Sequence, residues 1–313
     1  MKAVTKGYYR YSFFLLMLYL IFPGCSPDKE LKFTFNRKDG ETYIQRLSVS
    51  SERHMGPTNV QMDDTLSVTK VTCKKTVDGW DIDSQPLSRT IMRNGKELKN
   101  PLLDLLSGFV ITYKLDMNGE LKDILGYEKV VETIHSQYPS DVADGLTSSL
   151  DVDSLKQREF SEWNGRIGNF INKEFSIGDV WEFKTPFTLP NGVNLTYKGK
   201  THFKELVMYK DIKCVLIEQT YDSTGEGMSD LINDVAQSVS KGEEDDKNVL
   251  SLKESKVSSS IKGKLTRVID PATMHIYRED AERIIYMEMD IPGAGRIPVK
   301  ITETRSYEYE YNN

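Results

Sequence analysis

The chain is poor in the residues that build metal centres and stapled folds. Among 313 residues there are three cysteines and four histidines. Three cysteines exclude a disulfide-dense scaffold and a multi-cysteine zinc module. His54, His135, His202 and His275 are far apart in sequence, and neither H-E-x-x-H nor His-x-His occurs. They read as four independent histidines, with no metal site. An excess of basic charge is also missing. Lys and Arg total 41 against 47 Asp and Glu, a formal net charge of −6. Nucleic acid is therefore not expected as a partner, because phosphate binding needs a basic surface. Local catalytic signatures are absent too. There is no G-x-S-x-G, no S-x-x-K together with its partner motifs, and no calcium loop of the D-x-[DN]-x-[DN]-G type. The pairs Gly95-Lys96, Gly199-Lys200 and Gly263-Lys264 lack the rest of a phosphate loop. Gly263-Lys264 lies in an expected strand, where a turn or bulge accounts for the glycine. Asp63-Asp64, Asp151 with Asp153, and the run from Glu243 to Asp246 read as solvated acids. The expectation is a protein without a cofactor and without enzymatic activity.

What is present is globular. Hydrophobic residues make up 38% and aromatics 10%, too apolar for a disordered chain. The first segment reads as an address. Lys2, Lys6 and Arg10 precede the apolar run Phe13 to Phe22, and no acidic residue falls before Gly24. Ten apolar residues are too few for a spanning helix, which needs about 20. They suit the core of a secretory signal.

Most of the remainder reads as strand. Phe33 to Asn36 and Thr42 to Ser50 flank a turn at Lys38-Asp39-Gly40. Leu66 to Val77 is rich in β-branched residues and turns at Asp78-Gly79 into Trp80 and Ile82. Phe109, Ile111, Tyr113, Leu115 and Met117 alternate at period 2. Asn118-Gly119 then predicts a type I′ turn into Glu120 to Leu125. The period changes at Tyr127, Val130, Val131 and Ile134, a helix stopped by Pro139. Leu155, Glu159, Trp163, Ile167, Phe170 and Ile171 predict a second helix or two short ones, capped by Asp153 or Ser154. Strands resume at Val180 to Phe187. Lys213 to Tyr221 is apolar on both parities, as in a strand covered on both faces. Met228, Leu231, Ile232, Val235, Ala236 and Val239 form a helical stripe over 228–240. Strands return at Val257 to Ile269, His275 to Arg278, Ile284 to Met289 and Arg296 to Tyr311.

The resulting plan is a signal peptide over 1–24, a tether over 25–30, a β-rich segment over 31–126, a helical insert over 127–175 and a second β-rich segment over 176–313. The expected fold class is α+β, mainly antiparallel, with one or two curved sheets and a few covering helices. Gly40-Glu-Thr-Tyr43 and Gly178-Asp-Val-Trp181 begin the two β-rich segments alike. Each segment later carries one cysteine, Cys73 or Cys214, and these positions raise a diverged duplication as one reading.

The N-terminal run ends in Phe22-Pro23-Gly24-Cys25, which resembles a bacterial lipoprotein signal. That resemblance implies cleavage after Gly24 and lipidation of Cys25. Ser26 after the cysteine implies the outer membrane of a Gram-negative envelope, with palmitate among the acyl chains. Such multiple acylation anchors more firmly than one chain. Phe22 and Pro23 depart from the usual pattern. The build also resembles the half-barrel lipoprotein carriers of Gram-negative bacteria and the lipid-binding lipoproteins of mycobacteria, whose curved sheet cradles acyl chains under helices. The stretch from Ser107 to Trp181, ending Ile177-Gly178-Asp179-Val180-Trp181, resembles uncharacterised secreted bacterial proteins with a G-D-x-W element.

The remaining signals are thiols and aromatics. Without Cys25, Cys73 and Cys214 leave two alternatives open, one disulfide or two buried thiols. Tyr307, Tyr309 and Tyr311 share one face of the last strand, opposite Glu308 and Glu310. Phe109, Ile111, Tyr113, Leu115, Tyr307 and Tyr309 are the candidate lining of an apolar cleft, with an ordinary sheet core as the plainer reading. The expected function is non-catalytic binding or carriage of a hydrophobic or lipid ligand by a membrane-anchored protein. The alternative is a surface module for glycan or protein assembly. Behind both stands an enzyme with no local motif.

Overall fold

The structure, a computed structural model, describes residues 30–55, 59–99, 108–147, 151–188, 194–224, 256–291 and 295–312. The signal segment with Cys25 and the helix expected over 228–240 lie outside the described residues.

The elements run β1 (Leu31–Lys32), β2 (Thr42–Met55), β3 (Asn59–Lys75), β4 (Gly79–Arg93), β5 (Lys96–Glu97), β6 (Ile111–Asp116) and β7 (Leu121–Leu125). Helices α1 (Tyr127–Gln137), α2 (Ser140–Thr147) and α3 (Val152–Trp163) follow, and α3 runs on into a π-helical turn, Asn164–Gly168. Then come β8 (Glu174–Phe175), β9 (Val180–Thr188), β10 (Asn194–Tyr209), β11 (Ile212–Thr224), β12 (Lys256–Ile269), β13 (Ile276–Ile291) and β14 (Gly295–Tyr311). This is the α+β, mainly antiparallel class that the patterning indicated. The main sheet has the order β7-β6-β4-β3-β2-β14-β13-β12-β11-β10-β9, with β5 beside β4. Each strand group is a meander, and pairing of β14 with β2 from Val299↔Met55 to Tyr311↔Tyr43 joins the two. The two β-rich segments thus form one sheet. No helix among the described residues is long and apolar enough to cross a membrane.

The sheet is open, yet it bends. The Trp80 ring on β4 lies 6.1 Å from Phe35, and the Phe203 ring on β10 lies 5.8 Å from Phe33. Seven strand steps separate β4 from β10, which in a flat sheet is about 34 Å at about 4.8 Å per step. Phe33 and Phe35 are two residues apart, so their Cα atoms stand at most about 7 Å from each other. Both strands reach this one segment, and Arg89 on β4 and Phe183 on β9 border one space, so the open sheet bends towards it. The segment is not the strand expected over Phe33 to Asn36. The Phe33 amide donates to Lys173, its carbonyl accepts from Asn172, and the Thr34 amide donates to Pro271. Backbone bonds go to two turns instead of a ladder, and the buried rings of Phe33, Phe35, Phe170 and Phe203 plug this end of the concavity.

Turn chemistry corrects one expectation. Asn118-Gly119 is not a type I′ turn, because that type needs positive φ at both central residues. Only Gly119 has it (φ +89°), while the Asp116 carboxylate accepts from the Asn118 and Glu120 amides and sets the turn. Residue pairs with positive φ at both positions instead occur at Asn94-Gly95 and Lys210-Asp211, each inside a two-residue hairpin. The α3 cap is also displaced by two or three residues: Asp151, not Asp153 or Ser154, accepts from the Asp153 amide. Gly263 sits in regular register, so it marks no turn or bulge. A Cβ there would come within 2.1 Å of the Tyr221 ring, which occupies that space.

Gly40-Glu-Thr-Tyr43 and Gly178-Asp-Val-Trp181 share one bonding pattern. The Gly40 amide donates to the Cys73 carbonyl and the Cys73 amide to Glu41. The Gly178 amide donates to the Phe203 carbonyl and the Phe203 amide to Asp179. In both, the acidic side chain accepts from the amide three residues earlier, Lys38 or Ser176. The structural counterpart of Cys73 is therefore Phe203 and not Cys214.

Candidate functional site

Where side chains are described, odd-numbered residues of β2, β3, β9, β11, β12 and β14 face the concavity, and register shifts on β4 and β13 add others. On β4, Val68 pairs with Ser88 but Thr69 pairs with Pro86, so Leu87 has no partner. A bulge of this kind changes which parity faces inward. Ser84 and Pro86 face inward before it and Arg89, opposite Ser67, after it. On β13 the same device brings both Ile276 and Glu279 inside, with Tyr277 unpaired between Ile276 and Arg278.

Two connected spaces result. The first, about 370 Å³, lies between β3, β4 and β6 on one side and α1 and α3 on the other. Phe109, Ile111, Val130, Val131, Val152 and Leu155 make its walls mainly apolar. The second, about 620 Å³, runs along the middle of the sheet beneath α3 and the π-helical turn. Its lining carries six arginines (Arg89, Arg158, Arg166, Arg267, Arg283, Arg305) and four glutamates (Glu159, Glu162, Glu279, Glu303). Arg89, Arg158 and Glu159 border both spaces.

Most of these charges hold one another. Arg267, 1% exposed, lies 2.6 Å from Glu279, and Arg166 lies 3.5 Å from the same carboxylate. Arg267 also donates to the carbonyls of Gly165 and Arg166, which the π-helical turn leaves without helical partners. Burial works against an ionised Glu279, but the two guanidiniums outweigh it and hold the carboxyl below its ordinary range. Glu303 behaves likewise between Arg283 and Arg305. Glu159 accepts from the Tyr113 and Tyr127 hydroxyls at 2.9 and 3.1 Å. Glu162 has no hydrogen-bond or ion-pair partner among the described residues. Burial, reinforced by Glu159, pushes its carboxyl up, towards the protonated form. Arg89 has no carboxylate partner among the described residues, and burial together with Arg158 lowers its pKa. Arg166 stacks on Tyr307, 4.6 Å from the ring centroid, and donates to the Tyr309 hydroxyl.

The expected cleft residues therefore divide. Phe109, Ile111 and Tyr113 line the apolar space. Leu115, 4% exposed, belongs to the core. Tyr309 is buried in the core with Tyr307 packed against it, and both border the neighbouring, charged part of the interior beside Arg166. Cys73 and Cys214 are both buried and free. They stand on β3 and β11, five strand steps apart, and a bridge needs Cα atoms within about 7 Å. The disulfide alternative falls, and burial pushes both thiols up to about 11. His54 lies beside Glu52 and His275 beside Glu41, each at 2.6 Å. Among the described residues no group of His, Cys, Asp or Glu could hold a metal ion. Asp63 is paired with Arg93, and Asp151 serves as a helix cap. The G-D-x-W element is a turn whose Trp181 packs near Phe170 and Phe175.

The inward arginines were missed, although a signal existed. The parity that points Tyr307 and Tyr309 inward also points Glu303 and Arg305 inward. Compared with known proteins, the chain matches no family model and no curated protein. The arrangement itself defines a class: an open curved sheet with a helix-covered, partly apolar and partly cationic interior.

Proposed function

We propose that this chain is a non-catalytic binding or carrier lipoprotein, anchored through Cys25 in the bacterial envelope, that holds a hydrophobic ligand between sheet and helices. One observation carries the reading: the apolar space of about 370 Å³ beneath α1 and α3. Its volume falls in the range of small-molecule sites, about 300–1,000 Å³. Transfer of an apolar group into it is favourable by about 25 cal/mol per Å² removed from water. The anchor keeps the site near its ligand source.

A glycan platform needs aromatics on an open face, whereas Tyr113, Tyr307 and Tyr309 face the concavity. An enzyme without a local motif needs converging acids or histidines. Four glutamates do converge, but Glu159, Glu279 and Glu303 are engaged by tyrosines or arginines, which leaves Glu162 as its one specific support.

The test is native mass spectrometry of the full chain, with organic extraction and lipid analysis. A stoichiometric acyl species in the protein, together with acyl chains on the Cys25 peptide, is the expected result. A clean apo mass that takes up neither added fatty acid nor phospholipid would sink the carrier reading.

A further inference from the structure

The larger part of the interior combines apolar surface with charged side chains, and those charges suit an anion. Within a chain of net charge −6, the larger space is lined by six arginines against four glutamates. Glu279 is shared by Arg166 and Arg267, and Glu303 by Arg283 and Arg305, so each carboxylate leaves one positive charge over. Where the two spaces meet, Arg89 and Arg158 border both. Arg89 has no carboxylate partner among the described residues. The nearest carboxylate contact of Arg158 is Glu159 at 4.0 Å, and that carboxylate already accepts from Tyr113 and Tyr127. Two like charges held together, one of them brought inward by a bulge, are unfavourable unless something negative comes between them. Arg158 is 32% exposed and Arg89 more so, so this junction opens to solvent.

We infer that the interior binds a single-chain anionic amphiphile, with its alkyl chain in the apolar space beneath α1 and α3 and its carboxylate or phosphate head between Arg89 and Arg158. The inference rests on the carrier reading and names its ligand class. An arginine fork matches the planar or tetrahedral oxygens of either head group. The chain enters as far as Phe109 and Val130, and the head stays at the solvent-facing junction. An apolar space of about 370 Å³, at the small end for ligand sites, fits one chain better than two.

The full chain is titrated with dodecanoate, dodecyl phosphate, dodecanol and inorganic phosphate by calorimetry. The two anionic amphiphiles bind at least tenfold more tightly than dodecanol, and their affinity falls as salt is raised. The double variant Arg89→Gln/Arg158→Gln loses at least tenfold for both anions and is unchanged for dodecanol. Arg89→Lys/Arg158→Lys, which keeps the charge, recovers part of the loss and reports on folding. Equal affinity for dodecanol and dodecanoate in the parent chain, or no loss in the Gln double variant, overturns the head-group site while the carrier reading stands. Inorganic phosphate binding as tightly as dodecyl phosphate overturns it in favour of a free anion. If no amphiphile binds at all, the carrier reading falls and this inference with it.

Discussion

At the scale of single residues, the interior is a set of charges whose stability contributions have opposite pH signs. Glu279 has its folded pKa depressed, so its contribution is present above the unfolded value of about 4.3 and is lost as pH falls through the folded value. Glu162 is shifted the other way. Its contribution is present at low pH and is lost as pH rises through the folded value. Glu279→Gln leaves Arg267 and Arg166 without their anion and is expected to cost about 3–5 kcal/mol at pH 7. The loss should shrink in urea titrations carried down towards pH 3. Glu162→Gln should stabilise the chain at pH 7 relative to the parent and give no gain at pH 4. A neutral-pH loss in that variant would mean that Glu162 is ionised and bonded. The two internal thiols make a third case. With values near 11, Cys73 and Cys214 stay protonated at neutral pH. A disulfide reagent at pH 7.5 should leave both unmodified in the native chain and label both in urea, because thiolate is the nucleophile. None of these pKa directions could be read from sequence, since each depends on which strands bring the partners together.

At the scale of elements, local chemistry was legible and register was not. The α1 stripe and the Asp78-Gly79 hairpin follow from periodicity and turn residues alone. The π-helical turn after α3 does not, because its carbonyls are satisfied by Arg267, a hundred residues later. The α2 helix was not foreseen either, since within its eight residues it buries one side chain, Ala143. Bulges matter most, because one extra residue exchanges the two faces of a strand. Before Leu87, even positions of β4 such as Trp80 and Ile82 are buried, and after it Arg89 turns inward. Deleting Leu87 makes the alternation regular and leaves Pro86, Ser88 and Arg89 opposite Thr69, Val68 and Ser67, so Arg89 should stay inward. The variant is expected to remain folded by circular dichroism and to keep its preference for dodecanoate over dodecanol. Lost preference would show that the bulge itself holds Arg89 at the junction. Gly263 marks a second limit of local reading. Gly263→Ala places a methyl against the Tyr221 ring and is expected to cost about 1–3 kcal/mol.

At the scale of the whole molecule, the decisive contact lies between the ends of the chain. Sequence patterning divides the chain into two β-rich segments with helices between them. What it could not show is that β14 pairs with β2, because no local signal links strands some 250 residues apart. The shared bonding of Gly40-Glu41 and Gly178-Asp179 fits two related halves, but the β14–β2 seam makes them one body. The main core draws on both strand groups. Phe33 and Phe35 touch rings from β4, α3 and β10, so no segment keeps an intact apolar face once another is removed. The chain offers its own reporters, since Trp80 stands in the first strand group, Trp163 at the end of α3 and Trp181 in the second group. Three variants, each retaining one tryptophan and carrying Phe at the other two positions, should show urea transitions in which fluorescence and far-ultraviolet dichroism share one midpoint. That coincidence is the mark of two-state unfolding. If Trp80 and Trp181 instead reported separate midpoints within their own variants, with the dichroism splitting into two steps, the halves would be independent units. The concave interior could then exist only while two separate folds happened to be docked, and the ligand site would require its own stabilising contacts across β14 and β2.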